Sequence, residues 1–198
     1  MKAGLKWALG IGGAIGGLFL GKAIAEDKPQ KKIQLPRKVV QIIGDSQACW
    51  CSGLSKDSNP NHDFLKGITG SGQVDCKIGS RIADWNHKLT QVGGAVGIIP
   101  GAHVLIFLGS NEMDSTPDPS LIVKTIRAHG GIPVWVGPPL IRGKSGAFIP
   151  HVQEILGKMG VPYFDSRAIG LKQDKAGVHP VSQAEANRWL NAVLKTLV

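Results

Sequence analysis

The stretch from Val39 to Ser46, VVQIIGDS, constrains the fold of this chain more than any other part of it. Its apolar run is rich in Val and Ile and is bounded by turn residues, which is typical of a strand covered on both faces of a sheet. The Gly-Asp-Ser at its end predicts a turn that delivers Ser46 to the edge of that sheet.

Four further apolar runs follow at fairly regular intervals, and helical patterns lie between them. The five predicted strands are Val39–Gly44, Val74–Gly79, His103–Gly109, Ile132–Val136 and Val161–Asp165. Alternation of strands and helices predicts an α/β fold, a three-layer αβα sandwich with a parallel five-stranded flavodoxin-like sheet. Because polar residues alternate with apolar ones in the second run, that strand is predicted at an edge, in the order 2-1-3-4-5.

The predicted helices have apolar faces and recognisable ends. One face carries Ile82, Trp85, Leu89 and Val92, and another carries Phe148, Val152, Ile155 and Met159. Asp118 is expected to cap the helix that follows it, and Gly160 is expected to end the next one. Ser182 and Glu185 have the spacing of a capping box, which predicts the start of the last helix.

Residues 1–25 combine a basic start, an apolar run and small residues before Glu26, the pattern of a secretory signal peptide. Glycines repeat every four residues within the run, however, as they do in membrane helices that pack together. A retained membrane-anchor helix, through which the chain would form a homo-oligomer, is therefore the alternative. Residues 26–38 are predicted to be a basic linker at anionic headgroups, and residues 39–198 the folded domain.

The charge is concentrated before the first strand. Eight basic and two acidic residues precede Val39, so six of the nine net positive charges lie outside the predicted domain. The rest of the chain is nearly balanced, and it has no zinc-finger spacing and no phosphate-binding loop motif. A nucleic-acid partner is therefore not expected.

The chain has three cysteines, Cys49, Cys51 and Cys76, and an odd number does not indicate a disulfide framework. A bridge from Cys76 to Cys49 or to Cys51 is compatible with an oxidising compartment. The sequence favours the simpler interpretation that all three are free or buried thiols.

In parallel sheets, ligands bind beyond the carboxyl ends of the strands, so the turns at those ends hold the candidate functional residues. Ser46 is a candidate nucleophile, His179 a candidate base and Asn111 a neutral hydrogen-bond donor. The backbone amides of Ser46 and Gly79 are candidates to complete an oxyanion hole. The other histidines lack metal-ligand spacing, and no metal or cofactor is expected.

The turns contain four sequence blocks: GDSQ at 44–47, GSRIADW at 79–85, GSNE at 109–112 and DKAGVHP at 174–180. Together these blocks resemble the SGNH or GDSL hydrolase family, including its bacterial and phage members. The resemblance covers nearly all of residues 39–198. It implies that Ser46 attacks an ester and that His179 accepts the proton of the serine. It also implies that Gly79 and Asn111 stabilise the oxyanion.

The sequence departs from the family pattern at two positions. The family usually places an aspartate three residues before the histidine, where this chain has Ala176. Asp174 takes that role if the loop bulges, and otherwise a Ser-His dyad remains. Glu112 follows Asn111 where the family commonly has Asp, and this change is expected to be tolerated.

Two other regions are candidates for substrate contacts. The polar segment from Ser52 to Gly72, with a short helix predicted around His62–Lys66, is a long loop beside the nucleophile that forms either a lid or a solvated insertion. Arg142 and Lys144 follow the fourth strand, where they would meet an anionic substrate.

The sequence predicts a serine esterase that removes small acyl groups, above all acetyl, from a cell-envelope glycan such as peptidoglycan. A lipid ester is the nearest alternative substrate. The alternative function is a membrane or virion structural protein with weakened catalysis, which Ala176 and the glycine repeat motivate. The expected location is the membrane, the cell envelope or periplasm, or a phage virion.

Overall fold

The structure is a computed structural model that describes residues 39–51, 72–91, 97–113, 116–144 and 146–197. The predictions for residues 1–25 and 26–38, for the Ser52 to Gly72 loop apart from its last residue, and for Val92 lie outside the described residues. Among the residues that are described, no helix has the length and apolar character needed to cross a membrane.

Strands and helices alternate along the described chain. The strands are β1 (Val40–Gly44), β2 (Gly72–Cys76), β3 (His103–Phe107), β4 (Ile132–Val136) and β5 (Tyr163–Phe164). The helices are α1 (Ser46–Cys51), α2 (Ile82–Thr90), α3 (Ser120–Ala128), α4 (Ile149–Lys158) and α5 (Gln183–Lys195), and a 3-10 turn covers Ser166–Ile169.

The five strands form one parallel sheet in the order β2-β1-β3-β4-β5, which confirms the predicted fold and the edge position of the second strand. Gly44, the last residue of β1, pairs with Cys76 of β2 and with Phe107 of β3. Because these three strands end level with one another, the turns that follow them meet at one edge of the sheet.

Each face of the sheet carries its own apolar core, because successive side chains of a strand point to opposite faces. Ile43, Ile106 and Trp135 belong to the core beneath α2, α3 and α4. Ile42 and Phe107 belong to the core beneath α1 and α5, where Trp189 is fully buried. The central strands are therefore covered on both sides, as their nearly continuous apolar runs require.

The ends of several elements differ from the sequence-based predictions. β2 ends at Cys76 instead of Gly79, because the chain turns at Gly79 with φ 77° and leaves Ile78 exposed. β5 is reduced to two residues at the other edge of the sheet. Ser182 caps α5 as predicted, but the carboxylate of Glu185 accepts from Lys172 N and pairs with Arg188. Only half of the predicted capping box therefore forms.

The interpretation of three free or buried thiols was wrong. Cys49 in α1 and Cys76 at the end of β2 form a disulfide, with their Cα atoms 5.5 Å apart. Cys51 remains a buried free thiol. The fold brings Cys76 to Cys49 because β2 pairs directly with β1, the strand that leads into α1.

Candidate active site

The nucleophile turn is fixed to the centre of the sheet. Gly44 has φ 150°, and a Cβ atom at this position would lie 2.1 Å from the carbonyl oxygen of Phe107. Asp45 N donates to that same oxygen at 2.9 Å. Only glycine allows the backbone of β1 to approach β3 this closely, and the approach sets Ser46 at the start of α1.

Ser46, His179 and Asp174 form a continuous chain of polar contacts. His179 Nε2 lies 2.9 Å from Ser46 Oγ, and His179 Nδ1 lies 3.4 Å from Asp174 Oδ2. Ser46 is 6% exposed, whereas the side chains of His179 and Asp174 are 26% and 35% exposed. The ring of Trp50 stacks on the imidazole with the ring centroids 5.7 Å apart. This is the arrangement in which a histidine takes the proton of a serine while a carboxylate orients its ring.

Asp174 reaches the histidine because the loop folds back on itself as a short hairpin. Gln173 and Pro180 form an antiparallel bridge, and Asp174 N donates to His179 O at 2.8 Å. Gly177, with φ 67°, allows the turn between them. Asp174 therefore lies directly opposite His179, although it is five residues away in sequence and Ala176 occupies the usual position.

The pKa of Asp174 is lowered. Burial acts to raise this pKa, but hydrogen bonds to the carboxylate outweigh burial. Their donors are the amide of Val178, which lies 3.1 Å from Oδ1, the amide of His179 and the ring of His179. The group is therefore held as a carboxylate at neutral pH, the form that stabilises a positively charged imidazole.

Further hydrogen bonds fasten this loop to the rest of the domain. Gln47 Nε2 donates to Val178 O at 2.8 Å. Arg142 donates from its backbone to Gly177 O at 3.1 Å and from its guanidinium to Lys175 O at 3.3 Å. In the structure the guanidinium of Arg142 supports the loop that carries His179, and its contact with an anionic substrate stays a prediction.

Asn111 lies in the turn after β3 with its amide nitrogen facing several acceptors. Asn111 Nδ2 donates to Ser80 O at 3.1 Å and lies 3.4 Å from both Asp45 Oδ2 and Ser110 Oγ. These contacts orient the amide and connect the turn after β3 to the turn after β2, where Gly79 precedes Ser80. Ser46, Gly79 and Asn111, the three predicted oxyanion donors, thus come from neighbouring turns at one edge of the sheet.

Glu112 also binds the segment that follows β2, at the start of α2. Glu112 Oε1 accepts from Ile82 N, the first amide of α2, at 2.7 Å. A carboxylate is favourable at this position because the first amides of a helix lack partners within the helix. The longer side chain that replaces the usual Asp is therefore accommodated, as expected from the sequence.

Asp45 and Ser110 also belong to the site, although the sequence motifs did not lead us to predict them. Asp45 is fully buried; its carboxylate accepts from the Ser110 hydroxyl and from Gln47 N. Burial raises the pKa of Asp45 to about 6, against the lowering effect of these hydrogen bonds. An acidic residue directly after a buried strand was the available signal, since a carboxyl group there must find partners inside the protein.

A small cleft of about 50 Å³ opens beside Gly109. Its lining is mainly apolar and includes Pro138, Leu140, Ile141, Phe148 and Ile149, with the charged side chains of Lys144 and Arg167 at its border. Lys144 Nζ donates to Ser110 O, next to Asn111. The cleft therefore offers an apolar surface next to the turn that carries a predicted oxyanion donor.

The fold is shared with several solved structures, although no protein-family model and no curated protein sequence matches the chain. TesA is 20% identical, with a TM-score of 0.60 over 81% of this chain and 98% of that one. A carbohydrate acetylesterase family member from Sinorhizobium meliloti is 18% identical, with a TM-score of 0.54 over 81% of this chain and 98% of that one.

A Bacillus subtilis protein, YXIM, is 15% identical, with a TM-score of 0.56 over 82% of this chain. This chain spans 57% of that protein. Together with a G-D-S-L family lipolytic protein from Desulfitobacterium hafniense, with a TM-score of 0.59, these structures assign the described domain to the SGNH or GDSL hydrolase fold. The resemblance first seen in four short blocks thus extends to the whole fold.

Proposed function

We propose that this chain is a serine ester hydrolase of the SGNH type. The observation that supports the proposal most strongly is the contact of His179 Nε2 with Ser46 Oγ at 2.9 Å, with Asp174 on the opposite side of the imidazole. A serine hydroxyl needs such a neighbouring base to act as a nucleophile, because its own acidity is too weak.

The first half of the reaction forms an acyl-enzyme. Ser46 Oγ attacks the ester carbonyl carbon and its proton passes to His179 Nε2. The backbone amides of Ser46 and Gly79 and the side-chain amide of Asn111 stabilise the negative charge on the carbonyl oxygen. His179 then gives the proton to the leaving alcohol as the ester C–O bond breaks, while Asp174 stabilises the charged imidazole.

The second half releases the acid. A water molecule loses its proton to His179 and attacks the acyl-enzyme at the same carbonyl carbon. Collapse of the second tetrahedral intermediate returns the proton to Ser46 Oγ and frees the carboxylic acid. One ester and one water thus become one alcohol and one acid, and the enzyme is restored.

The proposed substrate is a small acyl ester, above all an acetyl ester, on a cell-envelope glycan such as peptidoglycan. The basic N-terminal 38 residues support a location at the membrane or in the envelope or periplasm, in a cell or in a phage virion that meets an envelope. The Cys49–Cys76 disulfide also supports an oxidising compartment. One structural neighbour is a carbohydrate acetylesterase family member, which agrees with this substrate class.

A lipid ester is the second candidate substrate, and the apolar lining of the cleft beside Gly109 favours it. The alternative function, a binding protein with weakened catalysis, was suggested by two features of the sequence. One of them, Ala176 at the usual position of the acid, now supports it less, because Asp174 lies beside His179. The glycine repeat within residues 1–25 remains as the other feature.

Hydrolysis of p-nitrophenyl esters of increasing acyl length tests both the activity and the choice of substrate. We expect the full chain to hydrolyse the acetate fastest and Ser46→Ala to show no activity above background. A preference for long acyl chains would favour the lipid ester. The absence of hydrolysis by well-folded protein, on these esters and on O-acetylated peptidoglycan, would contradict the esterase proposal.

A further inference from the structure

The Cys49–Cys76 disulfide joins the two turns that would carry the nucleophile and an oxyanion donor. Cys49 lies in α1 one turn after Ser46, and Cys76 is the last residue of β2, three residues before Gly79. The cross-link therefore closes a short covalent path between Ser46 and Gly79. Without it, the chain between these two residues runs through the whole segment from α1 to β2.

β2 is held on one side only. It is an edge strand whose single neighbour in the described sheet is β1. Beyond the end of the strand, Lys77 N donates to Gly44 O at 2.9 Å, and Asn111 Nδ2 donates to Ser80 O at 3.1 Å. Ile82 N also donates to Glu112 Oε1 at 2.7 Å. These three hydrogen bonds and the disulfide link the Gly79 turn and the start of α2 to the turns after β1 and β3, and the disulfide is the covalent link among them.

An oxyanion hole depends on small distances. Its donors act when they lie about 2.7–3.1 Å from the developing oxyanion, and removal of one donor typically lowers kcat about 10²–10³-fold. We infer that Cys49 and Cys76 are positioning residues, whose disulfide holds the Gly79 amide in register with Ser46 Oγ so that the esterase works fully only when oxidised. This inference rests on the proposed function, since it gives Gly79 the role of an oxyanion donor.

The redox step balances as ordinary thiol–disulfide exchange. The two thiols lose two protons and two electrons to a disulfide oxidant such as glutathione disulfide, which becomes two thiols. Cys51 does not compete for the bridge, because its thiol is fully buried and burial, together with the charge of Asp45, raises its pKa. Reduction therefore breaks the disulfide alone, which removes the covalent link between the Gly79 turn and α1 and leaves the hydrogen bonds of that turn.

The test compares oxidised and phosphine-reduced full-length protein in detergent, with p-nitrophenyl acetate as substrate and the redox state read by mass spectrometry. We expect reduction to lower kcat at least tenfold, to leave KM within twofold and to preserve the shape of the pH–activity profile. That profile depends on the His179–Asp174 pair, which the disulfide does not touch.

Two variants control for unrelated effects of the reductant. Cys49→Ala/Cys76→Ala should show the low kcat under both conditions, whereas Cys51→Ala should respond to the reductant as the unmodified chain does. Near-UV circular dichroism at the assay temperature should show that the reduced protein remains folded.

Three results would overturn the inference. A kcat that stays within twofold after complete reduction would mean that the disulfide does not position Gly79. Loss of kcat together with the near-UV spectrum would mean that it only stabilises the fold. An oxidised protein without any esterase activity would instead overturn the proposed function itself, and the inference with it.

Discussion

The two sides of the candidate site are built differently. The buried side, formed by Asp45, Ser46, Ser110 and Asn111, lies at the centre of the sheet with several hydrogen bonds inside the protein. The histidine loop, residues 173–180, is a short hairpin whose two functional side chains are 26% and 35% exposed. In the proposed mechanism, the groups that stabilise the oxyanion are fixed inside the protein, while His179 and Asp174 lie close to solvent.

This difference has a physical consequence for mutations. Removing a group from the buried side leaves polar partners that water cannot easily reach, which costs more than the loss of one hydrogen bond. In the histidine loop, water can replace part of what is removed. Substitutions on the buried side should therefore have larger effects than those in the loop.

Asn111→Ala should give the largest effect among the variants that keep Ser46 and His179. We expect kcat to fall about 10²–10³-fold with little change in KM, because a side-chain donor to the oxyanion acts mainly in the transition state. Steady-state kinetics on p-nitrophenyl acetate measures this. Asn86→Ala is the matched control, since Asn86 Nδ2 donates to Asp118 O near the start of α3. A drop below fivefold at position 111 would remove Asn111 from the oxyanion hole.

Asp45 should make the free energy of unfolding depend on pH in the acid range. Burial raises its folded pKa from 3.8 to about 6, so the folded state binds the proton more tightly than the unfolded state does. Stability should therefore fall as pH rises from about 4 to about 6, by about 3 kcal/mol for a shift of this size. Urea unfolding at a series of pH values measures this slope.

Two substitutions test the origin of that slope. Asp45→Asn should flatten it, because the amide does not titrate. Ser110→Ala should extend the fall to higher pH, because the hydroxyl bond from Ser110 acts to lower the pKa of Asp45. An unchanged slope in Asp45→Asn would show that another group is responsible.

Asp174→Asn should reduce kcat by about 10–100-fold. In the proposed mechanism the carboxylate orients the imidazole, but at 3.4 Å and 35% exposure water should compensate for part of its loss. Glu154→Gln is the matched control, because this exposed carboxylate pairs with Lys158 on the surface of α4. If the two variants have the same kcat, the site operates as a Ser-His dyad.

Gln47→Leu should have the smallest effect, a two- to fivefold loss of kcat. Its side chain provides one hydrogen bond from α1 to Val178 O in the histidine loop, and such a bond contributes about 1 kcal/mol. The backbone bonds of the hairpin remain. A loss above a hundredfold would mean that the histidine loop depends on Gln47 for its position, and would contradict this expectation.

The sequence was sufficient for the sheet and for the position of its functional turns. The strand order followed from the apolar runs and from the alternating polar residues of β2, which are local properties. Ser46, Asn111 and His179 were predicted as candidates because each lies in a turn after a strand or shortly before α5. These features depend on neighbours in the chain, and the sequence displays them directly.

Contacts between distant turns could not be predicted in the same way. The Cys49–Cys76 bridge depends on the level ends of β1 and β2, and Asp45 meets Ser110 only because β1 and β3 are adjacent. Asp174 contacts His179 because the loop turns at Gly177. The sequence showed this glycine, but it did not show which residues of the loop would pair with each other. α1 was not predicted because six residues after a turn are too few for a helical pattern.

The central claim is that His179 activates Ser46 as a nucleophile, and covalent labelling tests it most directly. Full-length protein would be treated with an alkyl fluorophosphonate, and the modified residue would be located by intact mass and peptide mapping. The account predicts a single adduct on Ser46 that is lost in Ser46→Ala and forms much more slowly in His179→Ala. Labelling of another residue, or equal labelling rates with and without His179, would contradict it.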